Sequence, residues 1–483
     1  KTELVKKTAN LEQYQETPED PEAAKCIPML KREDIRKEIT PFTNEALDID
    51  GSLFLYHEVP TNGIGYLDLM FDLSDVPEKD LPMVGLLQAV LGIIDTEHYE
   101  YGELFNEINR HTGGIGTSLE LYPDVTKVKE KEFKATFEIK GKALYGQIPF
   151  AIRMMKEILT ASKLDDEKRL KEILSMTKTR LQDHFLSAGH SAAALRAMSY
   201  KSPISKFKDT TNGIEYYQNI REMEEHFDEK KEEIISGLKA LSELLFRKGN
   251  VMISYTASRE GLAVLEEEIG SLKEALYPER TPESRCILHC EKKNEGFKTS
   301  SKVQFAAKAG NFIDAGEEYN GALQILKVIM SYEYLWINIR VKGGAYGCMS
   351  NFNRIGEGYF VSYRDPNLGR TLEIYDGVPE YLENFTVSER DMTKYIIGTI
   401  SNIDQPMTPA TKGDRSMNLY MNHVSAEMIR KEREQILTAN QEDIRALAGV
   451  ARAVLANDQI CVIGNEAKIE EEKELFMTVE NLF

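Results

Sequence analysis

The run with most chemistry in this 483-residue sequence is Arg340-Val341-Lys342-Gly343-Gly344-Ala345-Tyr346-Gly347. Its three glycines permit backbone conformations closed to other residues and let a ligand come close to the main chain. The run has neither the Gly-Lys-Ser/Thr ending of a phosphate loop nor G-x-G-x-x-G spacing. Arg340 and Tyr346 flank the glycines, and both donate hydrogen bonds. Such a pair can hold a carbonyl, or an oxygen that turns negative in a transition state. The run also reads as a tight turn with a surface Arg and a packed Tyr, and spacing alone does not separate the two.

The other candidates are poorer. The eight histidines are His57, His98, His111, His184, His190, His226, His289 and His423, and no two are four apart. H-x-x-E-H is therefore absent. His184 and His190, six apart, would point about 240° apart around a helix, so they are expected at a helix end and in packing rather than on one metal. Cys286, His289 and Cys290 have no second pair nearby to complete a four-ligand site. Cys348, beside the glycines, reads as a small packing residue, since no His lies near it in sequence.

Composition narrows the classes. Lys and Arg total 60 against 79 Asp and Glu, a net charge of −19. That surface repels phosphate backbones and excludes general nucleic-acid binding, but it suits basic peptides. Hydrophobic content of 42% excludes wholesale disorder. No run approaches the ~18 apolar residues of a membrane helix, so no membrane partner is expected. Five scattered cysteines fit a reducing, cytoplasmic compartment. Residue 1 is Lys rather than Met, which leaves room for an upstream targeting signal.

The elements that must position Arg340 and Tyr346 come in two sets. Cores stop growing near ~250–300 residues, so this chain needs more than one. Leu67, Leu69, Phe71 and Leu73 alternate with Asp68, Met70 and Asp72, and Phe133, Ala135, Phe137 and Ile139 alternate with Lys134, Thr136, Glu138 and Lys140, which predicts strands with one buried face. An apolar helix is predicted over 83–94, and a strand over 251–255 closes the unit. The charge run at 224–233 reads as a solvated helix face. The order then repeats: Val303 to Ala309 alternate, a helix follows from Ala322 to about Trp336, and Tyr359, Val361 and Tyr363 alternate. Arg110 and Arg340, the pairs Gly113-Gly114 and Gly343-Gly344, and Pro149 and Pro379 each differ by 230, while the strand at Val251 corresponds to one near Ile460. The expected fold is α+β: two homologous domains, each a mainly antiparallel sheet packed against helices. Residues 1–25 form a polar helical linker, 26–279 the first domain, and 280–483 the second, which carries the glycine loop. The first copy keeps Arg110 but has Gly116 where the offset would place a tyrosine. Tyr346 is therefore a candidate for work done in one copy only.

The strings RVKGGAYG, IPMLKREDIRKE, LPMVGLLQAVLG, YGELFNEINRHTGGIG and SAGHSAAALRA resemble the pitrilysin/insulinase family of zinc metallopeptidases, nearest its presequence protease-like branch. The resemblance covers nearly the whole chain, as the C-terminal half of such an enzyme. It implies four homologous α+β domains in two halves, joined by a helical hairpin and closing around a chamber. The N-terminal half holds zinc through H-x-x-E-H and a distal Glu. The C-terminal half supplies an Arg and a Tyr to the substrate carbonyl, by position Arg340 and Tyr346, on a loop shaped by Gly343 and Gly344. The corresponding helix here reads Met83-Val84-Gly85-Leu86-Leu87, so this segment is expected to bind no metal, with Zn confined to the full-length enzyme. The implied partners are unfolded peptides and the N-terminal half. A standalone inactive partner subunit is the alternative; an independent hydrolase using Cys348 or a Ser has no triad behind it.

Overall fold

The computed structural model describes residues 2–16, 30–49, 51–281 and 284–483. A polar helix, Thr2–Glu16, opens it, and the rest of the expected linker, with Cys26, lies outside the described residues.

Alternating apolar positions build two six-stranded sheets. The first contains β1 (Glu45–Ile49), β2 (Ser52–Glu58), β3 (Ile64–Asp72), β4 (Ile115–Pro123), β5 (Phe133–Leu144) and β6 (Val251–Ala257), in the order β1-β2-β6-β3-β5-β4. The second contains β7 (Glu295–Thr299), β8 (Phe305–Asn311), β9 (Gly347–Phe352), β10 (Glu357–Tyr363), β11 (Gln459–Asn465) and β12 (Thr478–Asn481), in the order β12-β7-β11-β8-β10-β9. The strand that comes late in each copy does not close an edge. It inserts in the middle: β6 runs parallel to β2 and antiparallel to β3, and β11 does the same between β7 and β8. This shared crossover matches the correspondence of Val251 with Ile460. The copies differ at one edge, where β1 pairs antiparallel with β2 but β12 joins β7 in parallel. Pro149 and Pro379 each sit in the first turn of a helix, Ile148–Thr160 and Val378–Glu383, where a missing N–H costs nothing.

Helices cover one face of the first sheet, among them Leu81–Val90, whose Val84, Leu86 and Leu87 are fully buried. The alternation in β3 predicts one buried face, but both are buried. Leu67, Leu69 and Phe71 face the helices, while Asp68 and Met70 on the other side are also covered. The cover comes from the second copy. Helix Pro409–Met421 lies across this face and packs Met417 and Met421 against Leu55, Met70 and Tyr122.

The copies interlock elsewhere too. Helix Glu167–Ser199, from the first copy by sequence, packs on β8, β10 and β11. From it, buried Arg196 donates to Glu295 on β7 at 2.6 and 2.9 Å and to Asp209 at 2.6 Å. Residues 32–40 in turn lie on helices of the second copy: Arg32 donates to the Ala439 carbonyl at 2.9 Å, and Arg433 and Arg415 donate to the carbonyls of Arg36 and Thr40. No helix of the described residues is long and apolar enough to cross a membrane.

Candidate functional site

Arg340 sits in a π-helical turn, Trp336–Val341, which follows helix Ala322–Tyr332. Wide turns of this type re-aim the side chains they carry. The chain then reverses into β9. Gly344 takes φ +82°, and its N–H donates to the Arg340 carbonyl at 3.0 Å. A Cβ on Gly343 would strike the Ile339 carbonyl oxygen, and the Gly343 carbonyl accepts from the Asn367 amide at 2.7 Å. The turn itself accounts for both glycines.

This reversal brings Arg340 and Tyr346 together. The Arg340 guanidinium donates to the Tyr346 carbonyl at 2.7 Å and lies 4.2 Å from the Trp336 ring centre and 5.5 Å from that of Tyr346. The stack and the single hydrogen bond fix the guanidinium while leaving other N–H groups to donate. Arg340 pairs with no carboxylate among the described residues, whereas Arg110 of the first copy pairs with Glu107. Tyr346 is 65% exposed, and its hydroxyl has no hydrogen bond to a described residue. Its N–H donates to the carbonyls of Tyr363 and Arg364, at 3.0 and 3.3 Å. The result is two unspent donors, one cationic and one neutral, side by side on an open surface. They suit an oxygen that carries or gains negative charge. The first copy keeps the turn, with Gly114 at φ +111°, but Gly116 lies in β4 as a strand residue.

The remaining candidates separate from this pair. Cys348 is buried, and its thiol is pushed up to about 12 by burial and then by Asp365, which leaves it without thiolate character. His184 and His190 share helix Glu167–Ser199, with His184 exposed and His190 half-buried against Tyr363. His190 is thus a packing residue, and the break at Ala188 puts both histidines near helix ends, His184 in the last turn before it and His190 in the first turn after it. His289 pairs with Glu78 at 2.7 Å, and burial pushes the Cys286 thiol up to about 11.

The described residues do not fit a zinc ion. Helix Leu81–Val90, which the resemblance sets against the zinc-bearing helix of the family, packs Val84, Leu86 and Leu87 into the core. No group of three His, Cys, Asp or Glu side chains among the described residues is disposed to hold a metal. The sequence reading missed Trp336, Tyr363 and Asn367. Trp336, the sole tryptophan, lies four residues before Arg340, one helical turn away, and that spacing was the available signal.

Two family models match the chain. One, for the domain associated with subfamily C of peptidase family M16, covers residues 1–223, and one described as "PreP C-terminal domain" covers residues 294–466. "Protein HypA" of Clostridium perfringens is 39% identical over 99% of this chain and 49% of its own length. "Presequence protease 1, chloroplastic/mitochondrial" of Arabidopsis thaliana is 31% identical over 96% of this chain and 44% of its own. The chain thus spans about half the length of these curated relatives. Among solved structures, a peptidase M16 inactive domain from Pseudomonas fluorescens superposes with a TM-score of 0.59 at 14% identity, over 88% of this chain and 98% of that one. With its two matched sheets and these relatives, the chain belongs to the pitrilysin/insulinase family, peptidase M16, and corresponds to the C-terminal half of its presequence-protease-like members.

Proposed function

We propose that this chain is the non-catalytic half of a zinc metalloendopeptidase that degrades unfolded peptides. Units 26–279 and 280–483, with 1–25 as the hinge, form one wall of the substrate chamber. Arg340 and Tyr346 donate to the substrate carbonyl as it becomes an oxyanion, and Gly343 and Gly344 hold the loop that a peptide approaches. Zinc chemistry belongs to a separate N-terminal half, the partner this half closes against. The net charge of −19 favours basic peptides. Cysteine usage fits a reducing compartment, here the cytoplasm, while the Arabidopsis relative carries a chloroplastic and mitochondrial name.

The observation that carries this reading is the exposed donor pair. A packed tyrosine would bury its ring, and a surface arginine in a structural turn would seek an acid, as Arg110 does. Tyr346→Phe in the complete enzyme, which removes one hydroxyl, should lower kcat by roughly 10²–10³ with KM little changed. An unchanged kcat would remove Tyr346 from the reaction and favour an inactive partner subunit.

A further inference from the structure

Resting on the proposed role of Tyr346, we infer that Tyr363, braced by the break in helix Glu167–Ser199, is a positioning residue that sets where the Tyr346 hydroxyl points. Tyr363 is held from two sides. On one it meets Tyr346: its carbonyl accepts the Tyr346 N–H at 3.0 Å, and the rings stand edge to face, 5.8 Å apart at 72°. Tyr346 is exposed and its ring meets the Arg340 guanidinium at 5.5 Å and the Tyr363 ring, so Tyr363 forms one wall of its rotamer.

On the other side Tyr363 is held by Ser187 and His190 of the first copy and by Phe305 of its own sheet. Its hydroxyl donates to the Ser187 carbonyl at 3.2 Å, and its ring packs edge-on against His190 at 4.9 Å and beside Phe305 at 5.6 Å. Ser187 directly precedes Ala188, whose φ −127° and ψ 31° leave the helical range. A break in the ladder lets a carbonyl turn to an outside donor. Gly189 allows the broken helix to seat, because a Cβ there would collide with the Phe305 ring. Through these contacts the Ser187-Ala188-Gly189-His190 stretch carries the position of the first copy to the donor of the second.

The test is a double-mutant cycle in the complete enzyme, using Tyr363→Leu, Tyr363→Phe and Tyr346→Phe. Removing the wall should lower kcat by roughly 10- to 100-fold with KM within about twofold, as expected when a reacting group is misplaced by about an ångström. Tyr363→Phe keeps the ring as a wall but gives up the bond to the Ser187 carbonyl, so it should lose more than about threefold in kcat yet less than Tyr363→Leu. In the Tyr346→Phe background, Tyr363→Leu should add nothing, since there is no hydroxyl left to aim. A normal kcat for Tyr363→Leu beside a slow Tyr346→Phe, or losses that multiply, would overturn the inference alone. A normal kcat for Tyr346→Phe would overturn the parent reading with it. Should Tyr363→Leu fail to fold, His190→Leu, which removes the brace from behind, must show the same loss of kcat and the same non-additivity, or the inference falls.

Discussion

Arg340 shows how much of the site depends on the shape of one side chain. Its guanidinium does two things at once, donating to the Tyr346 carbonyl while stacking on Trp336, and it still has N–H groups to offer. A lysine carries the same charge but has no planar fork, so it cannot stack, hold the carbonyl and present a second donor together. Arg340→Lys should therefore lower kcat/KM about tenfold or more, while stability moves by no more than ~0.5 kcal/mol, as for an ordinary surface change. Steady-state kinetics beside a denaturation curve separates the two, and an equal kcat/KM would show that charge alone matters. The pair was legible in the sequence because Tyr346 has no counterpart at Gly116. The stacking partner was not, because an isolated tryptophan carries no mark of what lies over it.

At the scale of elements, the second face of the first sheet is the least expected feature. It carries Asp68, 7% exposed, beside Glu138, with Lys140 reaching both at 3.6 and 2.8 Å, and helix Pro409–Met421 covers the same face. Burial first, and then the Glu138 charge, push the Asp68 carboxyl well above the usual carboxylate range, with Lys140 opposing. A carboxyl raised on folding contributes stability in its protonated form. That contribution is complete below the unfolded value of about 3.9 and is lost as pH rises through the folded one. Asp68→Asn abolishes the titration. Relative to wild type, the variant should therefore gain stability between acidic and mildly alkaline pH, as read from denaturant midpoints across that range. A relative loss on going alkaline would mean that the pair with Lys140 governs Asp68 instead. The alternation in β3 predicted the strand correctly and its exposure wrongly. Period-2 patterning reports one sheet and its neighbouring helices, whereas this cover arrives from a helix in the other copy.

For the whole molecule, the sequence shows two copies through an offset of 230 between residues 110–149 and 340–379, and the shared crossover of β6 and β11 extends the match to where that offset no longer holds. It does not show how the copies hold each other, because Arg196, Asp209 and Glu295 are scattered ordinary charges until the fold brings them together. Once buried, such a set depends on being complete. Arg196 makes three charge-assisted contacts with Asp209 and Glu295, and Tyr200 donates to Glu295 at 2.9 Å. Replacing Arg196 by methionine keeps much of the volume but strands two buried carboxylates, a loss on the order of 3–5 kcal/mol. The core beneath is continuous, since Phe297, Phe305 and Cys461 of the second sheet pack in one cluster with Leu69 and Phe137 of the first. The two sheets should therefore form one cooperative unit. Hydrogen exchange followed separately in β5 and β8 should show both losing protection together and by similar amounts in Arg196→Met. If β8 alone opened while β5 kept its wild-type protection, the copies would be independent folding units. Tyr346 could then not depend on a brace from the first copy, because a rigid link between the sheets is what lets the break at Ala188 fix a hydroxyl on the far side of the interface.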